Sequence, residues 1–234
     1  IHANNSPDDR RLTGSTGATS MHACAKAVQI YADNTPDQGQ DRMNIVITGS
    51  TRGIGRGLAE EFLRRGHNVV ISGRDEGAVG AAVAVLSSLG PGQVAGAAAE
   101  VSDLVAIERL WDLACQRFGC VDIWINNAGI TNRKAPFADL ADEQIANVIA
   151  TNLNGVMNCC KVAIAGMLAQ GRGTVFNMEG FGSDGLTDAG MSVYGTTKCA
   201  VRYFTKALIK DYKDTPLVIG LMIGWPLLRL SQPR

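Results

Sequence analysis

Neither sign of charge prevails in this sequence, where 22 Lys and Arg residues offset 22 Asp and Glu. A polyanion partner would call for a basic excess, and base stacking for more aromatic rings than the 6% present, so the composition speaks against nucleic acid. Cysteine is sparse: Cys24, Cys115, Cys120, Cys159, Cys160 and Cys199 show no CxxC spacing, and most fall in apolar, helix-like stretches, which reads as reduced core thiols. Histidine is scarcer still. His2, His22 and His67 form no HxxxH or Cys/His grouping, so no metal site is expected. No run of about eighteen or more apolar residues occurs, and any membrane association would be peripheral. A chain that starts at Ile1 is silent about a targeting segment.

What is present suits one sizeable core. With 46% apolar side chains in 234 residues, a single α/β domain is expected. Residues 1–42 are rich in Asn, Asp, Ser, Thr, Gly and Gln, and read as a polar N-terminal arm preceding a domain over 43–234. Within the arm only 20–32 has helical character, and Gly14-Ser-Thr-Gly17 follows no apolar strand, so it reads as a flexible segment rather than a phosphate loop. From Asn44 onward, short apolar runs near 44–48, 68–72, 93–98, 121–126, 173–178 and 217–223 alternate with amphipathic segments. This is repeated βα, which predicts a Rossmann-like, doubly wound parallel sheet with ligands at the carboxyl ends of its strands. The stretch from Asp139 to about Gln170 reads as one long helix or two abutting ones.

The first strand runs into Gly49-Ser50-Thr51-Arg52-Gly53-Ile54-Gly55 and then into a helical pattern through Leu58, Phe62 and Leu63. Glycines there let the backbone approach a pyrophosphate, whose charge the helix amides would face, so the turn predicts a dinucleotide site. After the second strand stand Gly73 and Arg74, where an acid would hold the ribose 2′-OH of NAD; Arg74 with Arg52 suits a 2′-phosphate, hence NADPH, although Asp75 follows and both arginines also suit solvated loops. The fourth strand ends in Asn126-Asn127-Ala128-Gly129, small and amide residues that suit a close backbone approach to the cofactor, a reading favoured over an ordinary turn by their place after an apolar strand in a chain that already carries the glycine turn. Tyr194 and Lys198 lie four apart, on one face of a helix, and a neighbouring ammonium favours phenolate, which makes a proton donor for a carbonyl under reduction. Asn152 is polar within an apolar helix and reads as a cap or satisfied core amide; Asn177, at the end of the fifth strand, reads as a backbone brace.

From about Asn44 to Pro226 the sequence resembles the short-chain dehydrogenase/reductase family, through TGSTRGIG, NNAG and YGTTK in order. The resemblance implies that Tyr194 donates a proton, that Lys198 lowers its pKa and holds the nicotinamide ribose, and that Asn152 supports a water relay. It further implies that Gly49, Ser50, Arg52, Gly53, Ile54, Gly55, Arg74, Glu100, Val101, Asn127, Ala128, Gly129 and Pro226 line the cofactor. Gly180 stands near the place of the family's carbonyl-polarising serine, and Ser183 is the nearest hydroxyl. Glu100-Val101 replaces the usual Asp-Val pair, and Pro226 is followed by Leu rather than Gly.

Within the family, IWINNAG, FNMEGFGSDG and YGTTKC look like the plant and algal chlorophyll b reductases of the non-yellow-colouring type. That likeness implies NADPH-dependent reduction of the 7-formyl group of chlorophyll b to 7-hydroxymethyl chlorophyll a at a chloroplast thylakoid surface, in a homo-oligomer or a pigment–protein complex. The chain ends at Arg234, before the family's seventh strand and substrate loop. Two other readings stand beside this one: an accessory subunit built on the reductase fold within a photosynthetic or respiratory assembly, and a soluble reductase of 3-oxoacyl substrates.

Overall fold

The alternation of apolar runs and amphipathic segments becomes a parallel sheet between two helical layers. The computed structural model describes residues 42–222 of the 234. The expected arm lies outside them apart from Arg42, whose guanidinium donates to Pro91 O at 3.2 Å; His2, His22, Cys24 and Pro226 lie outside as well.

Among the described residues the order is β1 (Asn44–Ile47), α1 (Gly53–Arg64), β2 (Asn68–Gly73), α2 (Glu76–Leu86), β3 (Val94–Ala98), α3 (Leu104–Phe118), β4 (Ile123–Asn126), α4 (Asp142–Ile149), α5 (Gly155–Gln170), β5 (Gly173–Met178), α6 (Ser192–Asp211) and β6 (Leu217–Met222). The strands run β3-β2-β1-β4-β5-β6, all parallel, so the chain reverses direction across the sheet between β1 and β4. At such a reversal the loops leaving the two central strands part and open a crevice.

The two-residue period of a strand sorts the core. Ile45, Ile47, Ile123 and Ile125 face α1 and α2 with Leu58, Phe62, Val79 and Leu86. Val46, Trp124 and Val175 face the other way, among Ile107, Leu110, Ala163, Ile164 and Val201 of α3, α5 and α6. Trp124 stacks on Trp111 there, with ring centroids 6.1 Å apart. Helices α4 and α5 are joined by a π-helical turn, Ala150–Asn154, into one run from Asp142 to Gln170. That run is long and apolar enough to cross a membrane by composition alone, yet Val156, Cys159, Cys160, Ala163, Ile164 and Met167 bury one face of it in the core.

Candidate active site

Three loops meet at the carboxyl edge of β1, β4 and β5. After β1, Gly49 and Gly53 take φ of 62° and 61°, which only glycine adopts without strain. A Cβ on Gly49 would lie 2.7 Å from Ala128 Cα, so the turn after β1 rests directly on the backbone after β4. A Cβ on Gly53 would meet nothing, and Arg52, at the N-cap of α1, makes no capping side-chain bond. The first amides of α1 are thus without a side-chain cap and open at Gly53, an arrangement that could receive an anionic group. Ser50 and Ile54 turn elsewhere: Ser50 Oγ donates to Ile47 O (2.6 Å) and accepts from Ser72 N (3.1 Å), and Ile54 packs against the α1 and α2 core.

Asn127 pins this turn. Its Nδ2 donates to Thr48 O and Gly49 O at 2.9 Å each, while its own N–H donates to Thr48 Oγ1 at 3.1 Å. Asn126 points inward, accepting from Trp124 Nε1 (2.8 Å) and donating to Asn177 Oδ1 (2.7 Å) and Cys160 Sγ (3.3 Å). Asn177 in turn donates to Thr205 Oγ1 at 2.8 Å, so it ties side chains of β4, α5 and α6 together instead of bracing backbone.

At the rim beyond β2, Thr51 packs on Gly73, whose Cβ would stand 2.8 Å from Thr51 Cγ2, and this brings the loops carrying Arg52 and Arg74 side by side. Asp75 is occupied as the N-cap of α2, accepting from Ala78 N at 2.6 Å. Arg74, 62% exposed, lies 3.9 Å from Glu100 across the rim. Val101 is buried beneath α5, where a Cβ on Gly155 would strike it and its carbonyl accepts from Asn158 Nδ2 at 3.2 Å.

Helix α6 supplies the reactive pair. Its first turn is capped from far away in sequence, because Tyr194 N donates to Asn132 Oδ1 (3.1 Å) and Asn132 Nδ2 donates to Gly190 O (2.8 Å). Tyr194 is half-buried; Lys198, 5% exposed, sets its Nζ 5.8 Å from the Tyr194 ring centroid and donates to Met178 O at 3.1 Å. Asn152, fully buried in the π turn, accepts from Ile130 N (2.8 Å) and donates to Ile130 O (2.8 Å) and Thr197 Oγ1 (3.1 Å). A Cβ on Gly129 would lie 3.4 Å from Asn152 Oδ1 and 3.8 Å from Lys198 Nζ, which places the loop after β4 directly over both. Beyond Ile130 opens a groove of about 430 Å³, lined by Thr131, Gln144 and Asn147 among others.

Two forces act on the pair and burial outweighs charge. Desolvation pulls Lys198 down from 10.5 to about 8, against the attraction of Glu179, and burial pushes the Tyr194 phenol up. The lysine nitrogen turns toward the Met178 carbonyl, so its charge does not offset that burial at the phenol. Gly180 lies against this pair: a Cβ there would collide with Tyr194 Oη and come within 3.0 Å of Lys198 Cε. Ser183 is buried in the turn that follows, its N–H donating to Gly180 O at 3.1 Å.

Tyr194, Lys198, Asn152, Gly180 and the backbone of Ala128 and Gly129 therefore share one neighbourhood, with the glycine turn beside it. Thr48, Asn132, Thr197 and Glu179 join this neighbourhood without having been marked by any motif. Only Thr197 carried a signal, since it lies beside Lys198 and its Oγ1 donates to Tyr194 O at 2.7 Å.

Residues 43–223 match the family model described as short chain dehydrogenase. A chlorophyll(ide) b reductase of the chloroplast from Oryza sativa subsp. japonica is 42% identical over 168 residues, 70% of this chain and 49% of that protein. Its counterpart from Arabidopsis thaliana is 41% identical over 167 residues, 70% of this chain and 48% of that one. The chain thus spans about half the length of these relatives. Among solved structures, a short chain dehydrogenase/reductase from Burkholderia phymatum in complex with NAD superposes with a TM-score of 0.74 at 26% identity, over 83% of this chain and 74% of that one.

Proposed function

The chain belongs to the short-chain dehydrogenase family, and we propose that it is an NADPH-dependent carbonyl reductase acting on chlorophyll b, whose 7-formyl group becomes the 7-hydroxymethyl group. The observation that carries this reading is the meeting of the open glycine turn with Tyr194 and Lys198 at one edge of the sheet. Relatives above 40% identity named for chlorophyll(ide) b reduction support the substrate. Their chloroplastic names support a plastid location, for which the surface of the thylakoid, where the pigment resides, is the natural site.

When bound along this edge the nicotinamide supplies a hydride. Tyr194 holds a proton at Oη, and its burial keeps the phenol protonated until an alkoxide forms beside it. Lys198, anchored to Met178 O with its Nζ 5.8 Å from the Tyr194 ring centroid, would hold the nicotinamide ribose beside the tyrosine. Asn152 fixes the Ile130 backbone and Thr197, which sets the helix turn under Tyr194. Arg52 and Arg74 would hold a ribose 2′-phosphate, for which Asp75, occupied as a helix cap, would not compete, whereas Glu100 stands 3.9 Å from Arg74. With glycine at 180 one polarising hydroxyl is missing, a loss worth about 10²-fold or more in rate. An aldehyde, more electrophilic than a ketone, tolerates that loss better.

The test is oxidation of NADPH by the purified chain with and without chlorophyll b, beside Tyr194→Phe. Pigment-dependent oxidation that falls by about 10²-fold or more in the variant is the expected result. Turnover of a small soluble ketone with none of chlorophyll b would overturn the substrate, and failure to bind NADPH would favour an accessory subunit.

A further inference from the structure

We propose that Glu179 is a positioning residue for the Tyr194–Lys198 pair, its carboxylate, next in the chain to the Met178 carbonyl that anchors Lys198, supplying a negative charge that favours the Lys198 ammonium; this rests on the reductase reading of that pair. Tyr194, Lys198 and Arg202 recur every four residues, so α6 turns them all toward one strand end. There each meets one of the three consecutive residues 178–180: Tyr194 Oη against Gly180, Lys198 Nζ on Met178 O, Arg202 Nε 3.3 Å from Glu179 Oε1. Glu179 is fixed at its backbone by N–H donation to Met222 O at 2.7 Å.

An acid in this place is costly unless it has a use. The Glu179 side chain is 11% exposed, and Oε1, although ion-paired with Arg202, accepts no hydrogen bond. A buried carboxylate so poorly satisfied gains little stability from its pair. Its field, however, favours the charged form of Lys198 and opposes the desolvation that acts on it. The other neighbours cannot do this: Asn152 and the Gly129 backbone are neutral, Tyr194 is a phenol held protonated by burial, and Arg202 bears charge of the same sign as Lys198.

The test titrates Lys198 directly, through the ¹³Cε resonance of ¹³C-lysine-labelled protein, assigned with K198R. In E179Q the midpoint falls by about one pH unit, and the alkaline limb of kcat/KM for NADPH-dependent reduction moves down equally. E179Q/R202Q, which removes both members of the ion pair and so avoids stranding Arg202, gives the same downward direction. An unchanged Lys198 midpoint in the folded variants overturns the proposal. Because the resonance is read without substrate, failure of the reductase reading would leave this result standing.

Discussion

Gly180 decides how Tyr194 sits, since the only space for a side chain there is already filled by the tyrosine hydroxyl and the lysine stem. Gly180→Ser sets two effects against each other: a new hydroxyl able to polarise a carbonyl, and a Cβ that must displace Oη. The obstructing atoms are the ends of side chains, not backbone, so the fold accommodates the change while the proton donor moves. Displacement of the order of 1 Å can cost about 10²-fold in rate, similar to what one added hydroxyl returns. Because the serine cannot act on a carbonyl whose proton donor is misplaced, we expect kcat for NADPH-dependent reduction to fall in G180S, with the thermal midpoint little changed. A rise in kcat would mean that Tyr194 keeps its place and that the hydroxyl was the missing element.

Helix α5 makes the parallel point about packing. Gly166 faces Trp111 so closely that a Cβ would enter the indole ring, while Trp111 stacks on the fully buried Trp124 and cannot retreat freely. Gly166→Ala gains about 1 kcal/mol of helix propensity but overpacks the core by about 1–3 kcal/mol, so net destabilisation is expected, read as a lower urea midpoint with altered tryptophan fluorescence. Elements of this kind were largely legible in the sequence. The strands fell within a residue or two of their expected places because Ile and Val runs such as Ile45–Ile47 and Val69–Ile71 declare buried parallel strands without help from the rest of the chain. Tyr194 and Lys198 were legible because four-residue spacing on a helix is a local matter. Even the inward aim of Asn126 lay in its parity with Trp124, two residues earlier. What stayed hidden were unions across long stretches of chain: Asn132 capping the Tyr194 turn, Asn127 pinning Gly49, Arg202 meeting Glu179. Parallel crossovers bring these together, and no periodicity in the sequence records the meeting.

The whole molecule feels the buried site through its dependence on pH. His67, lowered by burial and by Arg65 and Arg42, stays neutral in the fold while the unfolded chain binds its proton, so stability climbs as pH rises toward 6.5. At the alkaline end the signs conflict. Lys198 drops from 10.5 to about 8, so between these values the unfolded chain holds more protons and stability gains with pH, by at most about 1.4 kcal/mol per unit. Cys115, Cys159 and Cys160 are all raised above 9.0, the last to about 12, and Tyr194 is raised above 10.0; each keeps in the fold a proton that the unfolded chain loses, so each removes stability as pH climbs. The total therefore conceals the lysine, and a comparison of variants is needed to isolate it. Lys198→Met retains the buried stem and removes the charge, so at pH 7 it should unfold on the order of 1–3 kcal/mol less readily than the parent, less whatever the bond to Met178 O contributed. That advantage should shrink steadily as pH rises from about 8 to 10.5, where the parent sheds the same charge. Urea unfolding of both proteins across this range reads the gap, and one that stays constant would mean that Lys198 binds its proton as readily in the fold as in the unfolded chain.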